Sequence, residues 1–229
     1  MAKCDRPQYG EVLEDMTGKI SKGFDRDVDF EPMKEKLIND FNIKMTKLKN
    51  FKDSEAKSKA ERRYLVNKIN YTLIAMIQLR NGSRISEACL TYRSYMADRD
   101  LSDPVIVKIA KSEKTKTNEK GEEYTTKARY RKMVFPDWIS LDDFKILKKD
   151  KNTKALQECT SLKKRTLDYL RQEYQCNTHS LRYSFINYML NVKKLEMNTI
   201  AKIVGHVNLN MLVKYTQNKN IDKVLGENI

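Results

Sequence analysis

The stretch Thr178-His179-Ser180-Leu181-Arg182-Tyr183-Ser184-Phe185 decides how the rest of the chain reads. His179 and Arg182 stand three residues apart, so a helix carries both on one face. Gly205-His206 follows, and Tyr215 comes nine residues after His206, which leaves room for a turn and a short helix. The chain has 2 histidines, and both fall in this segment. An arginine, two imidazoles and a phenol converging suggest a phosphate site with a covalent nucleophile. Each has an ordinary alternative. Tyr215 is one of 12 tyrosines and reads equally as core beside Leu212, His179 as a helix-start histidine, and His206 as a turn residue.

Working outward, the surrounding segment is helical. Thr178 is the expected cap of the helix holding His179 and Arg182, with Leu181, Phe185, Tyr188 and Met189 for its core face. Asn198 is expected to cap a helix ended by Gly205, and Asn208 or Asn210 to open a last one containing Leu212, Val213 and Tyr215. Upstream, a short helix is expected over 140–150 and a further helical stretch over 153–175. Val105, Val107 and Ile109 alternate after Pro104 as a strand, and 129–135 reads as its return strand, ending at Pro136. The connection 111–128 has the composition of a mobile, lysine-rich loop.

Asp53-Ser54 offers a cap for a helix running to about Arg80, and Asn81-Gly82 closes it, Gly82 supplying the left-handed residue. Ser83 is expected to cap the next helix, placing Arg84 in its first turn. A cation there opposes the helix dipole. The conflict disappears if Arg84 and nearby N–H groups face one anion, with Glu87 orienting Arg84 from the same helical face. Otherwise Arg84 is a surface arginine. From Phe30 to Phe51 the positions Phe30, Met33, Leu37, Ile38, Phe41, Met45 and Leu48 predict one amphipathic helix, with Asn42 a candidate point of interruption, that must pack on the body, a partner or DNA. Residues 1–29 read as a polar arm. The expected class is mainly α with a small antiparallel β-sheet, an α+β architecture.

Composition narrows the function. With 45 Lys+Arg against 31 Asp+Glu the formal net charge is +14, which favours a polyanionic partner, nucleic acid before a membrane surface. A merely solvated lysine-rich surface is the plain alternative. Cys4, Cys89, Cys159 and Cys176 show no C-x-x-C spacing and read as reduced thiols in an intracellular protein, cytoplasmic or nucleoid-associated, or in a host's cytoplasm or nucleus. No apolar run approaches the roughly 20 residues that span a bilayer, and there is no hydrophobic signal core. Without a P-loop or Rossmann glycine run, a nucleotide-cofactor enzyme is disfavoured. No metal or other cofactor is expected.

Asn81-Gly82-Ser83-Arg84-Ile85-Ser86-Glu87 resembles the first arginine box of the tyrosine recombinases, or phage-type integrases. Thr178-His179-Ser180-Leu181-Arg182 resembles their His-x-x-Arg box, and Gly205-His206 with Tyr215 their Gly-His box and nucleophile. Val105 to Lys111 is similar to the strand that ends in the family's lysine. The resemblance covers roughly 55–220, with the boxes in order.

It implies that Tyr215 attacks a DNA phosphodiester to leave a 3′-phosphotyrosyl link, with Arg84 and Arg182 on the non-bridging oxygens. It further implies His179 as acid/base, His206 as a hydrogen-bond donor, Lys111 as acid to the leaving 5′ oxygen, and Glu87 as support for Arg84. Lys114, Lys116, Lys127 and Arg129 would meet DNA, and Lys114 or Lys116 competes with Lys111 for the acid's role. Double-stranded DNA is the implied partner, with a homotetramer on synapsed DNA and a monomer or weak oligomer when free. The chain departs from the family at Leu212, where a threonine is common, and in its long hairpin loop. Residues 1–54 would be a reduced or truncated DNA clamp before a catalytic domain at 55–229. The implied activity is site-specific recombination by a mobile-element or viral integrase. Alternatives are a type IB topoisomerase, a telomere-resolving enzyme and a non-catalytic DNA-binding regulator.

Overall fold

In a computed structural model the described residues are 28–51, 56–97, 99–110, 112–113, 115–118 and 121–205. Expectations for the N-terminal arm, the Asp53-Ser54 cap, the helix after Asn208 and the tail lie outside them.

Helix α2 (Ala56–Asn81) is the element the others pack around. From Val66 onward it is apolar on almost every side, with Ile69, Leu73, Ile74, Ala75, Met76, Ile77 and Leu79 all fully buried. A helix apolar all round has to be enclosed. The enclosing elements are α1 (Phe30–Lys49), α3 (Ile85–Ala97), α5 (Lys151–Gln157), α6 (Leu162–Tyr174) and α7 (Thr178–Asn191).

Buried polar groups inside α2 are matched at Asn70 and Thr72, as burial requires, while Gln78 Oε1 is left without a partner. Asn70 donates to Thr153 Oγ1 at 2.9 Å and accepts from Tyr92 Oη at 2.8 Å. Thr72 and Tyr169 share a hydroxyl contact of 2.7 Å. These partners are far apart in sequence, so each bond selects one helix arrangement.

Helix α1 runs unbroken through Asn42, the candidate point of interruption. Its buried positions Phe30, Met33, Leu37, Phe41, Met45 and Leu48 keep one stripe, and nothing in that spacing asks for a break. Of the surfaces open to it, the stripe takes the body, packing on α2 and α7. Phe30 stacks on Tyr188 at 4.3 Å between centroids. At its middle, Asp40 accepts from Lys44, from Tyr174 and, at 3.1 Å, from Tyr169 of α6.

Strands β1 (Val105–Lys108) and β4 (Tyr130–Met133) pair antiparallel, Val105 opposite Met133 and Val107 opposite Arg131. The inward set is Val105, Val107, Arg131 and Met133. The segment expected to be a structureless loop carries a second pair, β2 (Thr115–Thr117) with β3 (Glu123–Thr125). Both strands are polar in sequence, with β3, Thr115 and Thr117 exposed, so no apolar alternation announced the pair.

Other boundaries move for local reasons. Residues 153–175 are two helices, α5 and α6, parted at 158–161. Ser140 caps α4 (Leu141–Lys149) by accepting from the Asp143 N–H. Asn177, rather than Thr178, caps α7, its Oδ1 accepting from the N–H groups of His179 and Ser180. Glu196, rather than Asn198, precedes α8 (Met197–Val204), which Gly205 closes with φ +71°.

Candidate active site

Gly82 ends α2 with φ +53°, and an added Cβ would lie 2.2 Å from the Phe185 ring of α7. Only glycine lets α7 approach this turn. Arg84, rather than Ser83, is the residue before α3, and its own N–H is held by Glu87 Oε2 at 3.3 Å. A glutamate three positions into a helix, reaching back to the cap's N–H, is half of a capping box. Ser83 Oγ is buried without a hydrogen-bond partner. The Arg84 guanidinium also turns to Glu87, Nη1 lying 3.3 Å from Oε1. The anion that relieves this arginine's conflict with the helix dipole is thus supplied by the chain itself.

Glu87 is fully buried and gathers two further partners. The Ala110 N–H donates to Oε1 at 3.0 Å, which brings in the chain just past β1, one residue before Lys111. Arg131 forms an ion pair with Oε2, its Nε at 3.5 Å. Arg182 is 2% exposed and donates from Nη1 to the Gly82 carbonyl at 2.7 Å and from Nη2 to the Val204 carbonyl at 2.9 Å. Gly205 rests on Ile109, and a Cβ there would come within 2.9 Å of Ile109 Cδ1. The first arginine box, the His-x-x-Arg helix, the end of the lysine strand and the turn before His206 therefore meet at one place. His179 lies exposed in the first turn of α7, its ring 5.8 Å from that of Tyr183.

The structure leaves several of the expected site residues undescribed. Lys111, Lys114, His206 and Tyr215 lie outside the described residues, as does the Lys116 side chain, although its backbone belongs to β2. Lys127 is exposed and Arg129 half-buried, its N–H donating to Ser112 Oγ at 3.1 Å. Among the described residues no helix is long and apolar enough to cross a membrane, and no His/Cys/Asp/Glu cluster suits a metal ion.

Arg131 was not legible as a site residue. It sits in a run of basic residues that reads as a solvated strand face, yet it takes an inward position. Burial pulls its pKa below the usual arginine range, while the Glu87 carboxylate pushes it up. The one available signal was parity: Arg131 shares the inward face with Met133.

The chain is 42% identical over 230 residues to "Putative integrase V10" of Sputnik virophage, covering 97% of this chain and 99% of that one. It is 27% identical over 213 residues to "Putative integrase ORF241" of Acidianus two-tailed virus, covering 91% and 70%. An uncharacterised protein of Methanocaldococcus jannaschii is 28% identical over 173 residues, covering 69% and 72%. A crystal structure of the XerH site-specific recombinase bound to difH substrate, in a pre-cleavage complex, superposes with TM-score 0.41 at 13% identity, and the chain spans 58% of that protein's length. No family model matches. The chain belongs to the tyrosine recombinase, or phage-type integrase, family.

Proposed function

We propose that the protein is a viral or mobile-element integrase that cleaves and rejoins DNA strands through a 3′-phosphotyrosyl intermediate. The observation that supports this most is the convergence of the two arginine boxes: Glu87 holds Arg84, and Arg182 is held by the Val204 carbonyl and by that of Gly82, two residues before Arg84. Two guanidiniums set in advance suit the crowded charge of a phosphorane, because preorganised donors need no rearrangement as charge develops. Tyr215 is the nucleophile. Its phenol, with an ordinary pKa of about 10, needs a base, and His179 takes that proton. His206 donates to the phosphate and Lys111 protonates the departing 5′ oxygen. No external energy source is required, because the bond is conserved as the tyrosyl ester.

In this reading residues 55–229 carry the chemistry and 1–54 supply a reduced grip on DNA. The enzyme works as a tetramer on paired double-stranded sites wherever its DNA resides, in a cell's cytoplasm or nucleus. Lys114, Lys116, Lys127 and Arg129 meet the duplex. Strand cleavage by a monomer, as in type IB topoisomerases, uses the same residues.

Nicked duplexes tiled across the genome that encodes the chain provide the test. Wild type should form a detergent-stable protein–DNA adduct on a defined subset, and Tyr215→Phe should form none. An adduct that persists in Tyr215→Phe assigns the nucleophile elsewhere. On a 5′-phosphorothiolate duplex, whose leaving group needs no acid, Lys111→Ala should regain its rate, whereas Lys114→Ala and Lys116→Ala should gain nothing beyond wild type.

A further inference from the structure

Helices α2 and α8 end against one another, and the carbonyls of a helix's last turn have no partner within the helix. Two arginines serve them in matched register. Arg182 joins Gly82 to Val204, while Arg131 joins the preceding pair, donating from Nη2 to the Asn81 carbonyl at 2.9 Å and from Nη1 to the Ile203 carbonyl at 2.7 Å. The Arg131 Nε and Nη2 also donate to Met133 Sδ at 3.2 and 2.8 Å, and Nε lies 3.5 Å from Glu87 Oε2 as an ion pair. Asn81 is itself pinned just past β4, donating to the Val134 carbonyl and accepting the Val134 N–H, each at 2.9 Å.

Arg131 thus ties three pieces of chain that are distant in sequence. One is the turn that presents Arg84. Another is the carboxylate that holds Arg84 and the Ala110 N–H. The last is the end of α8, two residues before Gly205. Two carbonyl ends and a carboxylate converge here, so a buried cation is electrostatically required. A planar fork meets such divided acceptors, whereas an ammonium acts as a point charge.

We propose that Arg131 is a positioning residue for strand cleavage, fixing the α8–Gly205 turn against the Arg84 box and so keeping Arg84 and Arg182 in register with one another. The role in cleavage rests on the recombinase reading; the tether between α8 and α2 does not. Misplacement of a reacting group by about 1 Å costs on the order of 10²-fold in rate. The loss should fall on the chemical step rather than on DNA affinity, since Arg131 is buried.

The test compares wild type, Arg131→Lys and Arg131→Met with two readouts. Hydrogen exchange of peptides spanning 197–205 should quicken by about tenfold or more in both variants, with 69–79 unchanged, as expected for local opening in a folded protein. Unchanged exchange at 197–205 overturns the tether. If Arg131→Met does not fold, Arg131→Lys, which keeps the charge, carries the comparison. On the nicked duplex that traps wild type, adduct formation at saturating DNA should slow by about 10²-fold while the dissociation constant stays within about twofold. Wild-type rates in Arg131→Lys, or a deficit confined to affinity, overturn the positioning role. A wild type that traps no duplex at all refutes the recombinase reading instead, and leaves the exchange result to judge the tether.

Discussion

At the scale of single residues, the site depends on one buried carboxylate. Both Glu87 oxygens are occupied by donors from separate segments, so its replacement leaves Arg131 as an uncompensated buried cation. Glu87→Gln should cost about 3–5 kcal/mol in urea unfolding, the usual penalty for removing one member of a buried pair. A loss below about 1 kcal/mol, the typical exposed pair, would show that Arg131 has another counter-charge. The turns are comparably exacting. Gly82→Ala meets about 1–2 kcal/mol of backbone strain at positive φ, and displacing the Phe185 ring adds about 1–3 kcal/mol. Wild-type stability in that variant would mean the turn can reshape.

The cysteines divide by environment. Burial pushes Cys89 up to about 12 and Cys176 up to about 11, whereas the Ser161 hydroxyl, 3.2 Å from Cys159, draws that thiol below its ordinary value. The thiolate is the nucleophile, so iodoacetamide should label Cys159 ahead of Cys89 and Cys176 on mapped peptides. Equal labelling of the three would contradict the packing around α3 and α6.

At the scale of elements, α1 is held by an apolar stripe and by the Asp40 cluster. Burial raises the Asp40 pKa, but hydrogen bonds from Lys44 and Tyr174 outweigh it and leave the carboxyl below its ordinary range. A carboxylate depressed on folding stabilises the fold above its unfolded pKa, near 3.9, and loses that contribution as pH falls through the folded value. Stability should therefore decline on acidification below about pH 4 through this group. Asp40→Asn should lower stability at neutral pH by about 1.5–3 kcal/mol, the scale of a charge-assisted hydrogen bond, and flatten part of the acid limb. An unaltered acid limb in Asp40→Asn would assign the pH dependence to other carboxylates.

Elements also show which signals travel through sequence. Asn81-Gly82 and Gly205 marked helix ends correctly, because a left-handed turn is a local demand. The β2–β3 pair left no mark, since an exposed two-stranded ribbon needs no apolar face. The caps of α7 and α8 shifted by one and two residues for a related reason. Several neighbouring polar side chains are chemically able to cap, and only the entering backbone angle chooses between them.

At the scale of the whole molecule, the formal charge of +14 and the recombinase reading make one common prediction. Binding to a duplex that involves about 6–10 phosphate contacts should weaken by about 10³–10⁵ between 50 and 200 mM salt. Fluorescence anisotropy across that range measures the slope, and a flat response would remove phosphate neutralisation as the source of affinity. Within this body part of the candidate site was legible in advance as motifs. Arg84, Glu87, His179 and Arg182 stand in short motifs whose spacing expresses their neighbours along one helix.

The chain by itself determined the helical class, the strongly positive charge and the boxes, because periodicity, charge and turn chemistry are properties of adjacent residues. Only the tertiary structure decided that Arg131 belongs with Glu87, that Arg182 spans the ends of α2 and α8, and that α1 closes on α2 and α7. Those pairings join residues tens of positions apart, and a buried arginine differs from a solvated one only in what the fold wraps around it.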